Sequence, residues 1–206
     1  PLKVKWYGLA TALMGRDTEL LELAARSGCK GLLVGFESVS PDSLADFSKR
    51  INDPKLYTDF IKDLQSLGIA INGTFAFGSD GDTKDSFNSV INFCNEQRIE
   101  LPRFSILTPF PGTKLHERLD GEGRLLHKDW SLYDGQHVVY EPKNMSAGEL
   151  WDGHRRVWEE IYSMKSVFHR IKGKKQSYAF MLAANMAYRY YANKLHKFYV
   201  CDGGLP

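Results

Sequence analysis

The segment GLLVGFESVSPDSL, residues 31–44, opens with six residues that are all apolar or glycine and then meets an acid, Glu37, and a Ser-Pro-Asp turn. A continuous apolar run of this length reads as a strand covered on both faces, which is the habit of a parallel sheet. The shape recurs in INGTFAFGSDGDT, residues 71–83, where the apolar run passes into Gly78 and then Ser79, Asp80 and Asp82. Two strands that end in small and acidic residues raise the question of what encloses them.

Outward from these runs, strands alternate with helical patterns. KVKWYGLA (3–10) reads as a strand, and DTELLELAARSG (17–28) as a helix with Asp17 as N-cap and Gly28 as stop. After the 31–37 strand come SPDSLADFSKR (40–50), with Pro41 in its first turn, and DPKLYTDFIKDLQSLG (53–68), with Asp53 as cap, Pro54 at the first helical position and Gly68 as stop. IAINGTFAFG (69–78) is the third strand, followed by a helix that carries Phe87, Val90, Ile91 and Cys94 on one stripe. RFSILT (103–108) is the fourth strand, ended by Pro109.

Strands joined by single helices require right-handed crossovers, so the sheet is a parallel β/α barrel or a doubly wound sheet, with chemistry at the C-terminal strand ends where Glu37, Asp80 and Thr108 sit. Four strands cannot close a barrel, because closure links strand number to tilt and stagger. The missing strands are expected before Pro1, since LDGEGRLLHKDWSLYDGQHVVYEP (119–142) is loop-like and two helical stretches, roughly 146–171 and 175–198, follow it.

Composition narrows the class. With 206 residues, 43% of them hydrophobic and 25% charged, the chain is ordinary for a globular protein with a sizeable core. It has neither a run of about 18 apolar residues nor the N-terminal pattern of a signal peptide, and a cytoplasmic setting is expected. Cys29, Cys94 and Cys201 are odd in number and far apart, which argues against a disulfide framework and leaves no metal ligands of CxxC type. Net charge is +2, but from Ser163 onward eight Lys or Arg stand against one acid, Asp202, so this tail carries +7.

Strand alternation assigns faces. In residues 71–78, Phe75 and Phe77 share one side, suited to a helix layer, and Asn72, Thr74 and Ala76 the other. In 103–108, Arg103 and Ser105 lie opposite Phe104 and Ile106. A side lined by Asn72, Thr74, Arg103 and Ser105 is wetter than a packed barrel core, which points to an internal cavity, with interlayer residues as the plainer alternative. A carboxylate at the mouth of a buried strand has to be hydrogen-bonded or paired. Glu37 therefore either accepts from a ligand's ribose hydroxyls or ammonium, or caps its own turn and pairs with Lys49 or Arg50. Asp82 before Thr83 reads as a cap. GSDGD lacks the lysine and spacing of a phosphate loop.

Taken in order, GCKGLLVGFESVSPDSL, GIAINGTFAFGSDGDT, ILTPFPGTKL and GEGRLLHKDWSLYDGQHVVYEPKNMS resemble the later part of a radical S-adenosylmethionine (radical SAM) enzyme, of the group with an N-terminal cobalamin-binding domain that includes hopanoid-modifying and anaerobic porphyrin-cyclase-like proteins. The resemblance covers about residues 3–170. It implies an α/β fold with strands three to six of a six-stranded, half-open TIM-like barrel over residues 1–120, then a loop-plus-helical region over 121–206. It also implies a fragment without the CxxxCxxC loop that holds a 4Fe–4S cluster.

Carried over by position, Glu37 and Ser38 fall where a polar side chain contacts the SAM ribose or amino group, and Lys49 where a cation stands near the SAM carboxylate. Gly78 lies in the segment beside the adenine, and Leu107 and Pro109 at the strand end that packs on it; Asp80 has no clear counterpart. The implied chemistry is cleavage of S-adenosylmethionine to a 5′-deoxyadenosyl radical, which abstracts hydrogen from a small-molecule substrate, lipid-like or tetrapyrrole, in the barrel. SAM and the cluster are the implied cofactors of the parent protein, with cobalamin in a preceding domain.

The tail KQSYAFMLAANMAYRYYANKLHKFYV (175–200) interleaves tyrosines with Arg189, Lys194 and Lys197. This suits an ordinary packed helix with a solvated basic face, contact with an anionic membrane surface, or RNA binding by stacking and phosphate contacts. A non-catalytic β/α module whose tail binds such a partner is the alternative to the enzyme reading.

Overall fold

The computed structural model describes residues 4–46 and 54–198. Four parallel strands form one sheet in sequential order: β1 (Trp6–Thr11), β2 (Cys29–Glu37), β3 (Ala70–Phe77) and β4 (Arg103–Ile106). Helix α1 (Thr18–Arg26) joins β1 to β2, α2 (Pro41–Asp46) and α3 (Pro54–Ser66) join β2 to β3, and α4 (Lys84–Glu96) joins β3 to β4. The starts of α1 and α3 follow the expected signals, and α4 is capped at Thr83. Asp17 accepts from the Leu20 amide at 2.9 Å, Pro54 opens α3, and the Thr83 amide donates to the Ser86 hydroxyl at 3.0 Å ahead of α4. Asp53 lies outside the described residues.

The two sheet faces differ as alternation requires. On the helix side Phe36, Phe75 and Phe104 stack across β2, β3 and β4 with ring centroids 5.6 and 6.0 Å apart, and Tyr57 and Phe93 meet Phe36 edge-on. All but Phe93 are buried. On the open side Asn72, Thr74, Ala76 and Ser105 are half-buried and Arg103 is exposed. Register aligns Leu9 with Leu33 and Asn72, and Gly35 with Thr74 and Arg103, as cross-strand rows of that face.

Beyond β4 the chain departs from the expected outline in two places. Residues 119–121, the start of the stretch read as loop-like, belong to helix α5 (Lys114–Gly121), capped by the Thr113 hydroxyl, which accepts from the His116 amide. Only Leu119 of this helix is buried, so the sequence carries little apolar period to betray it. The stretch 146–171 is two helices, α6 (Ala147–Ile161) and α7 (Met164–Ile171), because Ser163 caps a new helix by accepting from the Ser166 amide. Helix α8 (Tyr178–Phe198) then packs against α6 and α7. Gly153 of α6 sits hard on α4, where any Cβ would meet the Phe87 ring at 2.3 Å.

One buried side chain ties these helices to the sheet. Arg170 of α7 is inaccessible to solvent, and its guanidinium donates to the Ser166 hydroxyl, to the carbonyls of Ile99, Glu100 and Ile161, and to Asn185 Oδ1 of α8. Those five bonds use all five of its N–H donors. Asn185 in turn donates to the Glu100 carbonyl, while buried Glu100 accepts from the Ile71 amide of β3 and lies 2.9 Å from the Lys174 ammonium. Removing the guanidinium strands five acceptors in the interior, so Arg170→Met should cost about 3–5 kcal/mol of unfolding free energy in urea denaturation. A loss below about 1 kcal/mol, the scale of an ordinary surface change, would contradict the role given to it.

Candidate functional site

The strand ends carry the site, and the backbone there is unusual. The Ser38 amide donates to the Phe36 carbonyl at 2.9 Å, closing a three-residue turn around Glu37, whose φ is +65°. A γ-turn with positive φ at its centre is rare and strained, and for a residue with a Cβ the left-handed region costs roughly 1–2 kcal/mol. The surroundings hold it in place: the Tyr57 hydroxyl donates to the same Phe36 carbonyl at 2.9 Å, and the β2–β3 register shifts between Gly35 and Glu37 so that Glu37 stands opposite Phe75. This slip takes Glu37, half-buried, out of simple strand alternation. At the end of β4, the Phe110 amide donates to the Thr108 carbonyl, forming a second tight turn at Pro109.

Asp82 fastens the loop after β3. Fully buried, it accepts from the amides of Gly78 and Ser79 at 2.9 and 3.0 Å through one oxygen and from the Ser43 hydroxyl of α2 at 2.7 Å through the other. The Gly81 amide donates to Asp46 at 2.6 Å. The loops after β2 and β3 are thereby zipped together. The Leu107 amide, just past β4, donates to the Phe77 carbonyl. Gly78 has φ +103°, and a Cβ there would strike the Tyr140 hydroxyl, which donates to the Gly78 carbonyl at 2.5 Å. Asp82 is thus a turn organiser and not the helix cap its place before Thr83 suggests, since Thr83 is the N-cap of α4. The Ser38 hydroxyl accepts from the Ser40 amide and also serves its own turn. Ser79 Oγ is buried with no hydrogen-bond partner. Lys49 and Arg50 lie outside the described residues.

Asp80 serves structure. It accepts from Arg124 at 2.8 Å and from Arg118, and Asn144 donates to its carbonyl, which locks α5 and the 124–141 segment onto the β3 loop. Burial alone would raise the Asp80 pKa, but the hydrogen bonds from Arg124 and Arg118 outweigh it and hold the carboxyl below its usual range. A depressed folded pKa gives stability that is fully present above the unfolded value of about 3.9 and is lost as pH falls through the folded value.

The open face is covered in part by α8, which leaves two cavities. One of about 630 Å³ is lined by Thr74, Arg103 and Ser105 with Asp134, Gln136, Trp158, Tyr188 and Tyr191. The other, of about 460 Å³, lies between Tyr7, Leu9, Leu33 and Asn72 on the sheet and Phe180 and Met181 on α8. Asn72 Nδ2 reaches the Tyr188 hydroxyl at 3.4 Å, while its Oδ1 is buried without a partner. The four cavity residues named from alternation therefore do line cavities. Trp158, Tyr188 and Tyr191, the aromatic wall opposite them, were beyond sequence reasoning, although the tyrosine spacing of the tail was visible. His154, behind this wall, is buried and its pKa is pushed down to about 4 by desolvation, so it is neutral at pH 7.

Among the described residues no group of three His, Cys, Asp or Glu is placed to hold a metal, and burial raises the pKa of both Cys29 and Cys94, away from the thiolate form. The C-terminal strand ends carry a half-buried carboxylate on a strained turn, at Glu37, and an orphaned hydroxyl, at Ser79. From the ionic lock follows an expected outcome. Asp80→Asn should melt below wild type at pH 7 by circular dichroism, with the gap closing as pH falls below about 4; a gap unchanged by pH would contradict the ionic role of Asp80.

Comparison with known proteins agrees with this geometry. Residues 113–198 match a domain of unknown function, DUF4070. Bacteriochlorophyllide d C-12(1)-methyltransferase of Chlorobaculum tepidum is 37% identical over 173 residues, covering 84% of this chain and 38% of that protein. Anaerobic magnesium-protoporphyrin IX monomethyl ester cyclase of Cereibacter sphaeroides is 28% identical over 82% of this chain and 27% of its own length. The chain thus spans well under half of these curated relatives. Among solved structures, the radical S-adenosylmethionine methyltransferase TsrM of Kitasatospora setae, with cobalamin and a 4Fe-4S cluster bound, superposes with a TM-score of 0.51 at 18% identity, over 58% of this chain and 23% of that one. Parallel strands in sequential order and these relatives together place the chain in the radical S-adenosylmethionine family.

Proposed function

We propose that this chain supplies half of the S-adenosylmethionine site and most of the substrate cavity of a radical SAM enzyme that alters a small tetrapyrrole-like molecule, by methyl transfer or a related step. The observation that carries this reading is Glu37, held at φ +65° at the C-terminal end of β2. Strain of this kind persists only where the surroundings over-determine it, and it concentrates at functional sites. A tetrapyrrole-type substrate is supported by the two named relatives and by the aromatic wall of the larger cavity.

In this reading Glu37 accepts hydrogen bonds from ribose hydroxyls or the ammonium of S-adenosylmethionine, and Ser38 shapes the turn that presents it. Lys49 supplies a cation to the cofactor carboxylate. Gly78, Leu107 and Pro109 form the wall for the adenine. Asn72, Thr74, Arg103 and Ser105 face the substrate, with α8 as the lid that excludes water. Reductive cleavage of S-adenosylmethionine supplies a carbon radical, and the chain's own contribution is positioning and the exclusion of stray hydrogen donors. Cobalamin, which the TsrM structure holds, belongs in this proposal to a preceding domain. The reading sets the chain in residues 1–120 of barrel and 121–206 of helical cover, in a cytoplasmic protein; no helix among the described residues is long and apolar enough to cross a membrane.

Glu37→Ala in the full-length protein should lower 5′-deoxyadenosine formation on the order of 100-fold while the cluster's absorption spectrum is unchanged, with Glu37→Gln intermediate. Unaltered deoxyadenosine in the alanine variant would remove Glu37 from the site. The cluster ligands are expected in a CxxxCxxC loop two β/α units upstream, within roughly 60–100 residues of Pro1. An upstream sequence without it would overturn the enzyme reading.

A further inference from the structure

Arg103 stands apart from the other arginines that line the folded core. Arg98, Arg124, Arg170 and Arg189 are each engaged with backbone carbonyls or carboxylates. Arg103 opens β4 on the open face, is exposed within the 630 Å³ cavity, and has no ion-pair or hydrogen-bond partner among the described residues. The one acid in that cavity is already committed: Asp134 accepts from the amides of Gln136 and His137 at 2.8 and 3.1 Å and lies 3.0 Å from His137 Nδ1. Gln136 Oε1, in the same cavity, is buried without a partner. The far wall is aromatic, with Tyr191 edge-on to Trp158 at 5.0 Å and Tyr188 6.1 Å from it.

A free planar guanidinium, an orphaned acceptor and an aromatic wall fit a flat molecule that bears an acid group at one end. We propose that Arg103 anchors a carboxylate of the substrate in this cavity, with the ring system laid along Tyr188 and Tyr191. The inference rests on the reading of the cavity as the substrate site. A carboxylate fits better than a phosphate, because a single guanidinium fork matches two oxygens side by side and no lysine converges on the cavity to meet a dianion. The anchor also sets a length. Leu107 lies four residues beyond Arg103, just past the end of β4, about 13 Å at strand rise. A molecule that touches both Arg103 and the cofactor end has to be several rings long.

The test is a fluorescence titration of the full-length protein with protoporphyrin IX, which carries two carboxylates, and with its dimethyl ester, which carries none. Wild type should bind the diacid at least tenfold more tightly than the ester, the scale of one charge-assisted hydrogen-bonded pair. Arg103→Met should abolish that preference while the ester's affinity holds, and Arg103→Lys should restore part of it. Equal affinities in wild type, or a preference that survives in Arg103→Met, would overturn the anchor and leave the cavity reading standing. Ser105→Trp, which fills the cavity, should weaken both ligands; if it changes neither, or if neither porphyrin binds wild type, the cavity reading fails and the anchor with it.

Discussion

The architecture depends on the guanidinium of Arg170. A charge taken fully out of water is tolerated only when every donor finds an acceptor, and this one finds five: three backbone carbonyls, a hydroxyl and an amide oxygen. Its acceptors come from the turn before β4, the end of α6, its own helix and α8. Satisfying them fixes where α8 crosses the sheet. The Tyr162 hydroxyl, which donates to the Pro102 carbonyl at 2.6 Å, and Arg189, which donates to the Tyr162 carbonyl at 2.7 Å, extend the same junction. Without α8 held there, the face that bears Asn72, Thr74 and Arg103 would be an open surface. With it, that face becomes two cavities.

The strand ends obey a second constraint. The Asp82 carboxylate organises the amides of Gly78 and Ser79 and reaches Ser43 across to α2, so the loop after β2 cannot move independently of the loop after β3. The strained turn at Glu37 is held from beneath by the Tyr57 hydroxyl and the stacked phenylalanines. Such a preorganised rim costs little to order when a ligand binds, which is what a site that must shield a reactive species requires. In the proposed reading the strand-end rim is the cofactor end, and the Arg103 cavity the anchor end, of one site.

Much of this was legible in the sequence where a short period governs it. Alternation in 71–78 separated Phe75 and Phe77 from Asn72 and Thr74, because a pleated strand leaves no third option. Asp17 and Pro54 marked helix starts through local chemistry. What escaped has a long-range cause. The Arg170 junction joins residues 99, 161 and 185, and carbonyl acceptors leave no trace in side-chain identity. Helix α5 buries one leucine and shows no period. The ion cluster at Asp80 depends on Arg118 and Arg124 some forty residues on. Glu37 was singled out as a strand-end acid, but its positive φ was invisible, since nothing in GFES requires a residue with a Cβ to adopt it. In the tail, Met181, Asn185, Ala192 and Leu195 are buried against the fold, while Tyr178, Phe180 and Tyr190 are exposed.

The central claim is that the C-terminal ends of β2, β3 and β4 form one adenosyl site. Hydrogen exchange read by mass spectrometry on the full-length protein, with and without S-adenosylhomocysteine, addresses it most directly. The account predicts slowed exchange in three separate segments, 37–40, 78–80 and 107–110, with little change on the outward helices α1 and α5. Protection confined to other segments, or none at the three strand ends under saturating ligand, would contradict it.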